Sequence, residues 1–214
     1  MRILDAGSGN GMLSYQAWRK GAQVIGISFK EKEIRGCREL FNRYLAIPEK
    51  ELCFTKGNLY DLDFHEEFFD EIICSEVLEH LERDTEVCRS FWWLLKPGGV
   101  LHLCAPNAEH PYNASFPLDP NETGGHVRAG YTLEDYRKLL EPIGFEIVAA
   151  TGLGGPIRQA FNRRIKEVQE RFGVAAGLPL FLVSLPFLVF ESGQREKKMP
   201  FSIYIKALKH PGVQ

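Results

Sequence analysis

The segment Asp5-Ala6-Gly7-Ser8-Gly9-Asn10-Gly11 places three glycines at alternate positions, with an acidic residue two places before the first. Glycine permits backbone angles and a close ligand approach that a Cβ would block. Such a loop can hold a ligand with its main chain. A dinucleotide fingerprint needs G-x-G-x-x-G, and its third glycine would stand at Met12. Nicotinamide and flavin cofactors are therefore disfavoured, and the Walker phosphate pattern is absent. A second set of reactive side chains, His110, Tyr112, His126 and Tyr131, shares one stretch of chain. Each is a candidate general base, worth about 10²–10⁴-fold in rate where an acceptor must lose a proton. His65 and His80 fall outside that stretch and are assigned no chemistry. Cys37, Cys53, Cys74, Cys88 and Cys104 form no C-x-x-C pair, and most sit in apolar runs. They read as buried reduced thiols in a cytosolic protein, and no metal site is expected.

These residues need a scaffold, and the first half of the chain alternates strand and helix signals. Strands are expected over 2–5, 23–28, 52–56, 69–75 and 100–105. Helices are expected from about 12 to 20, 30 to 44 and 84 to 95. Such alternation indicates crossover units and a mostly parallel sheet. Residues 106–131 read as a long functional loop. Thr132 with Asp135 forms a capping box that opens the next helix, which Pro142 and Gly144 close. Strands over 145–150 and 201–208 complete seven.

The 214 residues, divided by about 150 per domain, give roughly 1.4, which argues for one domain with an elaboration. Apolar residues make up 44% and charged residues 25%, so disorder and fibrous repeats are excluded. The net charge of −2 lacks the basic excess of a dedicated duplex-binding protein. Met1 is followed at once by a strand, so no secretory signal is expected.

Taken together, LDAGSGNG, FDEIICSEVLEHL and LLKPGGVLHLCAPN resemble motifs of the class I S-adenosylmethionine-dependent methyltransferases. The resemblance covers about 1–150 and 201–209. It implies a Rossmann-like, doubly wound seven-stranded sheet with an antiparallel last strand, and S-adenosyl-L-methionine as cofactor. By position, Gly7, Ser8, Gly9 and Gly11 pass under the methionine part of the cofactor, and Asp5 meets its ammonium group directly or through water. Asn58 and Leu59 stand where the family reads the adenine amine. Ser75 and Glu76 border the methyl-transfer cavity. One departure is Ser28, which occupies the place of the acidic residue that usually takes both ribose hydroxyls. A serine makes weaker, single contacts, so the task is open to being shared with another group. GISFKEKEI also resembles the variant of cyclopropane-fatty-acid synthases and of some methyltransferases acting on lipid-like substrates.

The stretch GHVRAGYT resembles the H-x-R-x-(Y/F)-(T/S) segment that opens the next helix in many small methyltransferases. His126 and Tyr131 are accordingly the catalytic candidates, as base or substrate contact. The rival role for His126 and Arg128 is to pin the loop. The reaction expected is in-line methyl transfer to oxygen, nitrogen or carbon of a small or lipid-like acceptor. Two alternatives stay open: a non-catalytic cofactor-binding pseudoenzyme and a membrane-associated scaffold. Nucleic acid is not expected as a partner, because no [DN]-P-P-[YFW] motif follows the fourth strand.

About fifty residues separate the last two strands, so 152–200 is expected to be an inserted element within a single domain over 1–214. Ile157, Phe161, Ile165, Val168 and Phe172 recur at helical spacing beside Arg158, Arg163, Arg164, Lys166 and Arg171. The uncharged run from 174 to 190 is short for a spanning helix and is broken by Pro179 and Pro186. The segment 157–190 is read either as a buried lid or homodimer contact, or as an interfacial element that lines a lipid-like acceptor and touches a membrane. The expected location is cytoplasmic, with that peripheral contact as its variant. The family often has a helical segment before the first strand. Either it is missing from this sequence, or the 106–131 loop and the insertion supply the cover.

Overall fold

The computed structural model describes residues 1–119, 121–122, 124–154 and 199–210, with single positions between 161 and 184. Short apolar runs form the central strands. β1 (Arg2–Ala6), β2 (Gln23–Ser28), β3 (Leu52–Lys56), β4 (Phe69–Ser75) and β5 (Leu95–Pro106) are parallel, and β6 (Phe145–Leu153) and β7 (Ser202–Lys209) complete the sheet. The order is β3-β2-β1-β4-β5-β7-β6, with β7 antiparallel to both its neighbours. This is the doubly wound, mostly parallel sheet expected. Its order reverses beside β1, and a crevice opens there at the carboxyl ends of the strands.

Two apolar layers hold the sheet. On one face α1 (Met12–Arg19) and α2 (Glu31–Cys37) cover Ile3, Val24, Leu52 and Phe54. The half-buried Trp18 packs there and donates its indole N–H to Glu51 at 3.1 Å. On the other face α3 (Asp84–Leu94) and α5 (Leu133–Leu140) bury Leu4, Phe69, Ile72, Leu101 and Tyr136. Trp92 packs against that layer, with the Lys209 ammonium 4.2 Å from its ring centre. Burying one such large side chain stabilises by about 1.5–3 kcal/mol.

Several elements differ in detail from expectation. The helix expected over 30–44 leaves the α-helical path after Cys37 and widens into a π-helical turn, Arg38–Tyr44. Within that turn Phe41 stacks on Phe54 at 5.5 Å and on Tyr15 at 5.2 Å. β5 begins at Leu95 rather than Val100, because Leu95 pairs with Phe69 before Lys96–Gly99 loop out and Val100 resumes against Glu71. β6 runs to Leu153, because β7 continues to pair with it as far as Ser202. The 106–131 loop contains one short helix, α4 (Pro111–Ala114). The Thr132–Asp135 capping box is present in both directions. Most of the insertion over 152–200, including most of 157–190, lies outside the described residues. Among the described residues no helix is long and apolar enough to cross a membrane.

Candidate functional site

A cavity of about 360 Å³ opens at the carboxyl ends of β1, β2 and β4. Its floor is the glycine loop. The Gly7 and Ser8 amides donate to the Ile27 carbonyl at 2.9 and 2.8 Å, which folds the loop back over β2. Gly7 has φ +90°, and a Cβ there would lie 2.3 Å from a Val77 methyl carbon. Gly7 and Gly9 border the cavity. Gly11 does not: it caps α1 with φ +75°, and a Cβ there would meet Phe41 at 2.7 Å. Ser8 is buried.

Asp5 lies beneath the loop, 1% exposed, and its carboxylate accepts from Ser14 Oγ at 2.5 Å. It braces the loop and does not line the cavity. Burial pushes its carboxyl up to about 6 from the usual 3.8, against the Ser14 hydrogen bond. The protonated form therefore stabilises the folded chain fully below about pH 4, and that contribution is lost as the pH rises through about 6. Asp5→Asn stays neutral throughout. Urea unfolding at about pH 4 and pH 8 should show the variant gaining about 3 kcal/mol on the parent over that interval. Equal pH dependence of the two proteins would refute this.

Asn58 and Leu59, after β3, line the wall opposite the glycine loop. Asn58 Oδ1 accepts from the Tyr60 amide at 3.1 Å, which leaves a lone pair. Ser28 ends β2 and also lines the cavity. Glu76 follows β4 at φ +55°, held by its amide on the Cys104 carbonyl at 2.7 Å. It lines the cavity, and its Oε1 accepts from Cys104 Sγ at 3.5 Å. Positive φ at a glutamate is a strained geometry that the surrounding structure has to enforce.

Ser75 does not join this group. It turns to the face carrying α1 and lines a separate trough of about 490 Å³ with Ile73 and Tyr204. On that trough His102 bridges Tyr204 Oη at 2.8 Å and Glu71 Oε2 at 3.2 Å. Tyr131 is also elsewhere: it is 3% exposed, stacks on Tyr136, and donates to Asp84 at 2.7 Å. Burial and that carboxylate push its hydroxyl far above the ordinary tyrosine range, so it is not poised to take or give a proton.

His80 corrects the sequence reading. The 3-10 turn Leu78–His80 carries it into the cavity wall. Its Nδ1 lies 2.8 Å from the Gly125 carbonyl, which can only accept. That fixes a proton on Nδ1; in the neutral ring Nε2, 3.8 Å from Glu79 Oε1, is then the lone-pair acceptor. His126 meets His80 edge-to-face at 4.8 Å, and its own ring rests on Phe116. It stands behind His80 rather than lining the cavity. Burial, then His80, lower its pKa below the usual value, so it is neutral near pH 7. Glu79 is 1% exposed, and its Oε2 has no hydrogen-bond partner among the described residues. Burial, then Glu76, push it up to about 8. Glu79, His80 and His126 offer ligand atoms all within 4.8 Å of one another and could hold a metal ion, a grouping that the spacing of the chain does not announce.

The loop is clamped by Arg128, which pairs with Asp84 and donates to the Leu81 carbonyl at 2.7 Å and the Glu82 carbonyl at 3.1 Å. The pinning role considered for Arg128 is therefore the observed one.

Residues 4–103 match the model of a methyltransferase domain family. A mouse mitochondrial ubiquinone biosynthesis O-methyltransferase is 28% identical over 161 residues, 72% of this chain and 43% of that protein. The ubiquinone biosynthesis O-methyltransferase of Bordetella avium is 34% identical over 112 residues, 50% of this chain and 43% of that protein. The chain thus spans less than half the length of these two relatives. A solved phosphoethanolamine N-methyltransferase 2 of Haemonchus contortus, in complex with S-adenosyl-L-methionine, shares the fold at TM-score 0.66 and 18% identity, covering 98% of this chain and 49% of that one. The matched strands, the seven-strand order and the glycine loop under the cavity agree on one assignment: the chain carries a class I S-adenosylmethionine-dependent methyltransferase domain.

Proposed function

We propose that the protein transfers the methyl group of S-adenosyl-L-methionine to a hydroxyl oxygen of a small acceptor, in the manner suggested by the names of its ubiquinone-pathway relatives. The observation that carries this reading is one cavity floored by the Gly7–Gly9 main chain and walled in part by His80, whose Nδ1 is held by the Gly125 carbonyl. The cradle fits the cofactor, because Gly9 borders the cavity and a Cβ there would stand in space that only the Gly7 carbonyl oxygen approaches, at 4.0 Å. Gly7 and Gly9 would lie under its methionine part and Asn58 and Leu59 beside its adenine, while Asp5 supports the loop from below. When bound, it supplies an electrophilic methyl on a sulfonium.

Aligning the acceptor oxygen with that methyl is worth about 7–11 kcal/mol. His80 would accept the hydroxyl proton that the acceptor gives up on methylation. His126, neutral and edge-on, fixes the His80 ring. This gives His126 a positioning role, and Tyr131 a structural one at Asp84. Glu76 is placed to contact the acceptor. An apolar tail on the acceptor fits the sequence of 157–190, a segment outside the described residues.

The test is mass spectrometry of a panel of dihydroxyphenyl compounds, with and without an isoprenoid side chain, incubated with S-adenosyl-L-methionine. Formation of a methyl ether with equimolar S-adenosylhomocysteine is expected. Folded protein that binds S-adenosylhomocysteine yet methylates no hydroxyl in the panel would overturn the reading in favour of a non-catalytic role.

A further inference from the structure

The end of β2 has no carboxylate, yet a carboxylate reaches the same place from the next element. Glu33 sits in the first turn of α2 and lines the cavity beside Ser28 and Gly9. Ser28 Oγ donates to Glu33 Oε2 at 2.5 Å. The Lys30 amide donates in turn to Ser28 Oγ at 3.1 Å, which fixes the direction of that hydroxyl hydrogen. Lys30 Nζ lies 3.7 Å from the other oxygen, Glu33 Oε1. The Glu33 side chain remains 34% exposed, so it is held but not covered. A carboxylate offers about four lone-pair directions. The Ser28 hydrogen bond and the Lys30 ion pair take up two, and two are left over on a residue that lines the cavity, the number that a vicinal diol needs.

We infer that Glu33, oriented by Ser28, is the carboxylate that receives the two ribose hydroxyls of the cofactor, in place of an acidic residue at the end of β2. The inference rests on the cavity being the cofactor site. Ser28 is then a positioning residue: it spends its proton on Glu33 and so sets the carboxylate plane.

Isothermal titration with S-adenosylhomocysteine and with its 2′,3′-dideoxy analogue tests the assignment, with circular dichroism as a check of folding. The parent should bind the dideoxy analogue about 10–100-fold more weakly, a ratio that corresponds to two hydrogen bonds to a charged group. Glu33→Ala should lose a similar factor for S-adenosylhomocysteine and almost nothing further for the analogue. Glu33→Gln should keep part of the discrimination, and Ser28→Ala should weaken S-adenosylhomocysteine by about 3–10-fold, again without moving the analogue. If the Glu33 variants weaken both ligands by the same factor, the assignment is wrong while the cofactor site stands. If the folded parent binds neither ligand, the reading of the cavity itself fails, and the assignment with it.

Discussion

His80→Ala is expected to lower kcat by about 10²–10⁴-fold while leaving the dissociation constant of S-adenosylhomocysteine within about 3-fold of the parent. The reason is the tautomer. The Gly125 carbonyl takes the Nδ1 proton, which leaves Nε2, 3.8 Å from Glu79 Oε1, as the ring's acceptor in the proposed reaction, and alanine leaves no acceptor for the hydroxyl proton. The cradle proposed for the cofactor, by contrast, uses Gly7, Gly9 and Asn58, for none of which a contact with that ring is seen. Added imidazole should restore part of the rate in His80→Ala, which a merely structural histidine would not show. His126→Gln should cost less, because His126 touches only the edge of His80. Rates measured with and without a chelator would separate proton transfer from ion binding at Glu79, His80 and His126. A kcat within about 3-fold of the parent in His80→Ala would remove His80 as the base.

The second large effect concerns stability. Asp84→Ala should lower the free energy of unfolding by about 3–5 kcal/mol, the range for breaking a largely buried ion pair. Asp84 is 8% exposed, and its Oδ2 is shared by the Arg128 guanidinium and the Tyr131 hydroxyl at 2.7 Å. Removing it leaves the Arg128 charge with only the Leu81 and Glu82 carbonyls and Tyr131 with only the Leu78 carbonyl at 3.3 Å, and Arg128 Nε already lacks a partner among the described residues. Urea unfolding would measure the loss. Adding Arg128→Met to Asp84→Ala should recover part of it, because the unpaired charge is then gone. The same pair ties the loop after β5 to the turn that carries His80. Asp84→Ala should therefore also lower kcat at temperatures where it is still folded. A loss under about 1 kcal/mol would show that the pair is solvent-screened and structurally idle.

The scaffold is legible in the chain because strong local signals set it. The β1, β2, β3 and β4 runs are short and apolar, and glycines or polar residues bound them. The Thr132–Asp135 capping box carries its own hydrogen-bond logic. The cofactor wall is legible for the same reason, since Gly7, Ser28 and Asn58 each end a strand or follow one closely. Side-chain direction is less so. Cys74 is buried in the layer beneath α3, so the strand period of two turns Ser75 to the opposite face. That parity was available in the sequence. The pairing of His80 with His126 was not: it depends on Arg128 closing the loop onto Asp84, a contact between distant segments with no local signature. Glu33 was equally hidden, because its role requires knowing that the first turn of α2 bends back over the end of β2.

The positions of the tryptophans have a spectroscopic consequence. The chain has three, Trp18, Trp92 and Trp93. Trp18 belongs to the α1–α2 layer, Trp92 to the opposite layer beneath Lys209, and Trp93 is 45% exposed. None lines the cavity. Intrinsic fluorescence should therefore act as a two-sided gauge of the sheet, dimming or shifting when either layer comes apart, and stay nearly silent as the cavity fills. For this molecule the optical signal follows folding, and occupancy has to be followed by heat or by mass.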